Sequence, residues 1–381
     1  LGGTVDGIHY RGSQIVSPTD EAIGAKIAAV TSLKSQSRGK VWEVLGEEIV
    51  EKYVNQTASL AGTPGSLRIV YTAMHGVGTE TIQRVFHKAG FQSPILVDAQ
   101  AAPDPDFPTV AFPNPEEPGA IDLALETAKS FDAHLVIAND PDADRCAAAV
   151  NDPATGWRML RGDELGAIFG ESIARKSSTG IFANSIVSSS ILKKIAAHYN
   201  LEFKETLTGF KWLAKIKGLT FGYEEALGYA VDAVTVNDKD GISAAITLAQ
   251  IATDLAAEGK TVLDLLDEVW ARHGFHATEQ ISIRLSDLSK VGVILGGLRN
   301  NPPKEIAGRT VTSIDDLAAP TDGLPPTDGL RIWLDGGVRI IIRPSGTEAK
   351  MKCYIEAIEK DSKTAQVVLD QLRPPLKELL S

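Results

Sequence analysis

His134-Leu-Val-Ile-Ala-Asn-Asp140-Pro-Asp-Ala-Asp-Arg145 is an apolar run that breaks into an acidic loop. The apolar part, 134–138, has the length and composition of a buried strand. The loop places carboxylates at alternate positions, Asp140, Asp142 and Asp144. Three carboxylates in a tight loop converge only if something neutralises their repulsion. A hard divalent cation does so, and an oxygen-only donor set favours Mg²⁺. A solvated acidic turn is the alternative. An EF-hand does not fit, because Arg145 stands at the loop's sixth position instead of Gly and Asn151 at its twelfth instead of Glu. An aspartyl phosphatase of the haloacid-dehalogenase type would carry Asp-x-Asp-x-Thr after the strand, but here the fifth position is Asp144.

Outward from this loop, strands alternate with helices, the pattern of an α/β layer fold. Strands are predicted at 67–72, 95–97, 134–138 and 146–150. Helices are predicted at 78–89, closed by Gly90 in the left-handed cap position, and at 121–130. A proline-rich stretch, 103–118, reads as a long functional loop. These elements make one domain, 59–161. The pattern restarts at Asp163, with helices at 164–174, 189–199, 241–255 and 262–272 and strands at 180–183 and 219–223. They make a second domain, 162–274. The remainder, 275–381, reads as an α+β domain. Its strands are 281–285, 330–334, 338–343 and 352–357, with Asp335-Gly336-Gly337 as a tight turn and helices at 287–299 and 363–379.

At the other end, 1–12 is glycine-rich and has no strand signal. Ser17-Pro18-Thr19-Asp20 marks a helix start, and helices are predicted to about 30 and over 39–54. Both have apolar faces and no preceding sheet to cover. Residues 1–58 are therefore expected to be the remnant of a domain whose N-terminal part is absent.

Composition sets limits. A chain of 381 residues is too long for one core. It has no run of about 18 apolar residues, so no membrane span is expected. The net charge of -11 offers no basic stripe to a nucleic-acid backbone. A small phosphorylated ligand needs only a local cluster of donors. Cys146 and Cys353, both in apolar runs, point to a reduced, cytoplasmic protein without a disulfide framework.

Further loops carry possible chemistry. Arg339–Lys350 reads Arg-Ile-Ile-Ile-Arg-Pro-Ser-Gly-Thr-Glu-Ala-Lys. A strand ending at Arg343 is followed by Ser345, Gly346 and Thr347. Arginine offers a fork for phosphate, the hydroxyls add donors, and glycine lets backbone N–H groups approach. An ordinary Pro/Gly-closed loop is the alternative. Gly222-Tyr223-Glu224-Glu225-Ala226-Leu227-Gly228-Tyr229 puts two carboxylates at a strand end, where they can accept from sugar hydroxyls; a solvated Glu pair is the plainer reading. Thr208-Gly209-Phe210-Lys211 could place a cation near a ligand phosphate or be a surface turn. Met74-His75-Gly76-Val77-Gly78 lies between strand and helix but lacks the third glycine of a dinucleotide fingerprint.

In this order, the loops resemble those of the α-D-phosphohexomutase superfamily over essentially the whole chain. Asp140–Arg145 is similar to its metal loop, Glu224-Glu225 with Gly228 to its sugar loop, and Arg343–Glu348 to its phosphate loop. The Glu-Glu-Ala-Leu-Gly-Tyr variant resembles most the phosphoglucomutase-2-like branch, which includes phosphopentomutases. The resemblance implies tandem related α/β/α domains and a C-terminal α+β domain around a central cleft. It implies reversible phosphoryl transfer between the 1- and 6- (or 1- and 5-) positions of a sugar phosphate through a phosphoserine and a bisphosphate such as glucose 1,6-bisphosphate. In that scheme Asp140, Asp142 and Asp144 hold Mg²⁺, and Arg145 sits beside the transferring group. Glu224, Glu225 and Gly228, with Thr208, Gly209 and Lys211, face the sugar phosphate. Arg343, Ser345, Gly346 and Thr347 hold the non-reacting phosphate. The implied partner is a small phosphorylated sugar, with no nucleic acid or membrane, in a cytoplasmic monomer or homodimer.

The family's Thr-Ala-Ser-His-Asn-Pro serine loop does not occur in these residues. Gln14-Ile-Val-Ser-Pro18 resembles the stretch that follows it. Residues 1–381 are therefore expected to bind metal and phosphosugar without mutase turnover. A non-catalytic sugar-phosphate-binding protein is the alternative function. Two departures blur the substrate: Ala226 and Leu227 stand where many members have a serine, and Tyr229 stands where some carry a histidine.

Overall fold

The computed structural model describes residues 3–5, 8–10, 12, 14–16, 18–39, 41–287, 289–345 and 350–380. The chain divides into two compact units, Leu1–Leu165 with Gly209–Thr261, and Gly166–Thr208 with Val262–Ser381. The span 162–274 is thus shared between them.

The first unit is built on a five-stranded sheet. Its order is Ile95–Leu96, Ile69–Thr72, Leu135–Ala138, Ala147–Asp152, Gly156–Met159. The first three strands are parallel and the last two antiparallel. Ile69–Thr72 and Leu135–Ala138 are buried along their whole length, as central parallel strands covered on both faces must be. Tyr71 pairs with Ile137 and Thr72 with Ala138, so both strands end at one level, where the acidic loop begins. Helix Gly78–Lys88 follows the first of them and closes as expected. Gly90 adopts φ +79°, and the N–H of Phe91 reaches back to the carbonyl of Phe86 at 2.9 Å. Helix Gly241–Ala257 is mostly apolar and largely buried. The hairpin Leu219–Glu224/Gly228–Ala230 completes the unit's site-bearing elements.

The N-terminal expectations need two corrections. Residues 3–5 and 8–10 form a two-stranded antiparallel hairpin, although 1–12 carries no strand signal in its composition. The register pairs Thr4 with His9 and Val5 with Ile8, so each short strand is held by its partner and not by its own composition. The second helix starts at Glu47, not 39, and runs to Ala58. Glu48 accepts a hydrogen bond from the N–H of Gly46, and Glu47 and Glu48 place negative charge on the helix's first turn. Before it, Val41, Trp42, Val44 and Leu45 are exposed and non-helical. Helix Thr19–Ala28 buries none of its residues; Ser17 lies outside the described residues.

In the second unit, strands Ile181–Ser185 and Glu202–Thr206 are parallel neighbours, and helix Ile191–His198 packs against both. The C-terminal part is a six-stranded antiparallel sheet ordered Phe275–Arg284, Lys350–Glu359, Val338–Pro344, Leu330–Leu334, Arg309–Asp316, Glu305–Ile306. Helices Ser289–Asn300 and Ser362–Leu379 share its apolar core. The strands that sequence reading missed include Gly156–Met159, Glu202–Thr206 and Arg309–Asp316. All are partly exposed, the last two are polar, and pairing partners, not composition, make them strands.

Among the described residues no helix is long and apolar enough to cross a membrane. Cys146 and Cys353 are both free and buried.

Candidate metal and phosphosugar site

The acidic loop is fastened at several points. The N–H of Val77 donates to the Pro141 carbonyl at 2.9 Å, and the N–H of Gly241 to the Ala143 carbonyl at 3.1 Å. Gly76 has to be glycine, because a Cβ there would overlap the backbone of Pro141. Ala143 adopts a left-handed φ of +58°, which turns the chain between Asp142 and Asp144. The turn brings one oxygen from each of Asp140, Asp142 and Asp144 within 4.8 Å of the others.

Asp140 is buried, whereas Asp142 is exposed. Burial pushes the Asp140 carboxyl up to about 6; the N–H of Arg145 opposes this, and the charges of Asp144 and Asp142 add to it. Asp144 is also raised, first by burial, with Lys239 acting against it. Burial raises the Asp140 and Asp144 carboxyls, and three convergent carboxylates make the oxygen-only donor set a hard divalent cation needs. The residues present therefore fit such an ion.

Two cations already face the loop. The Arg145 guanidinium lies 3.4 Å from Asp140, and its own N–H donates to Asp140 Oδ1 at 3.0 Å. Lys239, which sequence reading missed, pairs with Asp144. Its only signal was its place in Asp238-Lys239-Asp240-Gly241, just ahead of a helix capped by the Asp240 side chain. Asn139 and Tyr71 were missed as well. The Tyr71 hydroxyl donates to Asn139 Oδ1 at 2.8 Å, and Asn139 Nδ2 donates to the Arg145 carbonyl at 2.6 Å.

The Glu224–Gly228 loop adjoins the acidic loop through its backbone. The N–H of Cys146 donates to the Leu227 carbonyl at 3.0 Å, and Arg145 bridges Gly228. Gly228 leaves room for the Lys239 stem, since a Cβ would stand 2.9 Å from Lys239 Cδ. Glu224 Oε1 accepts from the N–H of Gly209 at 2.6 Å, tying the Gly209–Lys211 turn to this loop. Glu224, Glu225 and Lys211 are half-buried. Gly162 lies so close under Glu225 that a Cβ would overlap the Glu225 carbonyl. Tyr229 is fully buried, donates its hydroxyl to the Gly162 carbonyl at 3.0 Å and stacks on Tyr223. It is a packing residue here.

In the second unit, Thr208 is half-buried at the end of the strand Glu202–Thr206 segment. Arg343 is half-buried near the end of strand Val338–Pro344. The N–H of Ser345 donates to the Lys350 carbonyl at 2.8 Å. Gly346 and Thr347 lie outside the described residues.

Family models for phosphoglucomutase/phosphomannomutase match the chain three times: alpha/beta/alpha domain II over residues 48–156, alpha/beta/alpha domain III over 161–273, and the C-terminal domain over 298–372. A probable phosphomannomutase of Haemophilus influenzae is 46% identical, covering 97% of this chain and 76% of its own length. A mouse phosphopentomutase is 33% identical over 91% of this chain, which spans 63% of that protein. Among solved structures, a phosphoglucomutase/phosphomannomutase family protein of Burkholderia thailandensis has the same fold, with a TM-score of 0.72 at 17% identity, covering 97% of this chain and 72% of that one. The relatives carry mutase names, and none supports a non-catalytic binding protein. With its tandem α/β/α domains, C-terminal domain and ordered loops, the chain belongs to the phosphoglucomutase/phosphomannomutase family of phosphosugar mutases, in the α-D-phosphohexomutase superfamily.

Proposed function

We propose that this chain supplies the metal, sugar and phosphate loops of a mutase that interconverts the 1-phosphate of a sugar with its 6-phosphate or 5-phosphate through a bisphosphate. The observation that carries this reading is the convergence of Asp140, Asp142 and Asp144, in a chain whose relatives are phosphosugar mutases. Those three carboxylates would hold Mg²⁺, which when bound neutralises charge on a transferring phosphoryl group. Arg145 adds a fixed positive charge beside the same carboxylates. Lys239 supplies a second, and its pairing with Asp144 keeps that carboxylate oriented. Glu225 accepts hydrogen bonds from sugar hydroxyls, while Glu224 braces the Gly209–Lys211 turn beside it. Arg343, Ser345, Gly346 and Thr347 hold the phosphate that does not react, with Thr208 and Lys211 as further donors.

The proposed division is 1–58, 59–161, 162–274 and 275–381. Buried free cysteines support a reduced, cytoplasmic setting. A sugar bisphosphate such as glucose 1,6-bisphosphate is the proposed primer.

Competitive calorimetry on residues 1–381 tests this reading. Both positional phosphates of one sugar, glucose or ribose, should compete for one site, and Mg²⁺ should bind independently of them with loss on Asp142→Ala. Binding of one isomer with no competition from the other would overturn it.

A further inference from the structure

We propose that Asn139, oriented by Tyr71, is a positioning residue that closes the acidic loop into a ring and thereby sets the spacing of its three carboxylates. The inference rests on the reading of that loop as a divalent-cation site. Asn139 is fully buried and sits where strand Leu135–Ala138 ends. Its N–H donates to the Thr72 carbonyl at 3.0 Å, extending the strand pairing by one residue. Its side chain links the two ends of the loop. The amide Nδ2 donates to the carbonyl of Arg145, six residues ahead, at 2.6 Å.

Arg145 is also held through its preceding peptide, whose N–H donates to Asp140 Oδ1 at 3.0 Å. Asn139 therefore fixes Arg145, and Arg145 fixes the rotamer of Asp140. A free Asn amide can turn over and present its oxygen where the donor is needed. The Arg145 carbonyl only accepts and so requires Nδ2 on its side, and the buried Tyr71 hydroxyl, donating to Asn139 Oδ1 at 2.8 Å, holds the amide in that orientation.

Two glycines leave the space for this clasp. Gly78 begins helix Gly78–Lys88, and a Cβ there would run into the Tyr71 hydroxyl. Gly241 begins helix Gly241–Ala257, and a Cβ there would overlap the Arg145 carbonyl and press on Asn139 Nδ2. Both helix starts thus come within contact of the clasp because neither carries a side chain. Groups that orient metal ligands from behind commonly change metal affinity by about 10–100-fold when removed.

The test measures Mn²⁺ and Mg²⁺ affinity by calorimetry and the Mn²⁺ electron paramagnetic resonance spectrum, alongside the unfolding temperature of the metal-free protein. Asn139→Leu should weaken both metals about 10–100-fold and change the Mn²⁺ spectrum. Tyr71→Phe keeps the ring and removes only the hydroxyl, so it should give a smaller loss of the same kind even if Asn139→Leu fails to fold. Asn184→Ala is the control: it removes another buried Asn whose amide donates to a carbonyl, that of Ser189 at 2.8 Å. It should lower the unfolding temperature without moving metal affinity. Wild-type affinity and spectrum in Tyr71→Phe and in any folded Asn139→Leu would overturn the positioning role. If Asp142→Ala also leaves metal affinity unchanged, the cation site itself is wrong, which separates the two failures.

Discussion

Arg339 and Glu356 form an ion pair at 2.9 Å in which both side chains are almost wholly buried. The pair is not isolated. Glu356 also accepts from the Ser189 hydroxyl at 2.7 Å and the Ser190 N–H at 2.7 Å, and contacts His276 Nδ1 at 2.9 Å. Arg339 donates to the carbonyls of Ile186 and Ser188. These bonds join the C-terminal sheet to the turn after strand Ile181–Ser185 and make one unit of two stretches distant in sequence. Replacing Arg339 with Met leaves a buried carboxylate without its counter-charge, so a loss of about 3–5 kcal/mol in denaturant-measured stability is expected. A loss under about 1 kcal/mol would mean that the other donors suffice to hold Glu356.

The same carboxylate makes stability depend on acid. Burial would raise its pKa, but the Arg339 charge and the bonds from His276 and Ser189 outweigh burial and hold it down to about 2. A depressed carboxylate stabilises the fold fully above its unfolded pKa, about 4.5, and loses that contribution as pH falls toward 2. Glu356→Gln should therefore flatten the stability profile between about pH 4.5 and 2. An unchanged slope in that window would assign the acid sensitivity elsewhere.

Asp142→Ala should weaken Mg²⁺ binding at least about tenfold, or roughly 1.4 kcal/mol. Asp142 is the exposed member of the triad, so its removal disturbs packing least. Calorimetry reads the effect, and an unperturbed Mg²⁺ isotherm would remove the triad as a site.

Arg343→Ala should weaken the 1-phosphate and the 6-phosphate of one sugar alike, by about 1.5–3 kcal/mol, the range of a charged hydrogen bond. In the proposed mechanism one loop serves both orientations of the sugar. Titrations of the two isomers decide the point: a deficit in only one means that the loop reads a single orientation.

Glu225→Ala should harm phosphosugar binding more than binding of inorganic phosphate. A carboxylate accepts from hydroxyls and repels a bare phosphate. Equal losses for both ligands would show that the loop does not read the sugar.

Strand–loop units were legible in the sequence because their signals are local. The apolar run at 134–138 and the three alternating aspartates lie within a dozen residues, and the structure places the strand at Leu135–Ala138 with the carboxylates converging after it. Leu330–Leu334 carried its own β-propensity and was read to the residue. What the sequence could not determine is who stands behind each loop. Tyr71 reaches Asn139 across 68 positions and Lys239 reaches Asp144 across 95. Neither the phenol nor the ammonium is marked by its neighbours in the chain. Polar strands such as Arg309–Asp316 and Glu202–Thr206 exist because a partner strand satisfies their backbone, a pairing no local window contains. Local residues determined which groups could bind a cation and a phosphate; the tertiary structure decided which buried hydrogen bonds and ion pairs hold them in place, because those bonds form only when distant segments pack and exclude water.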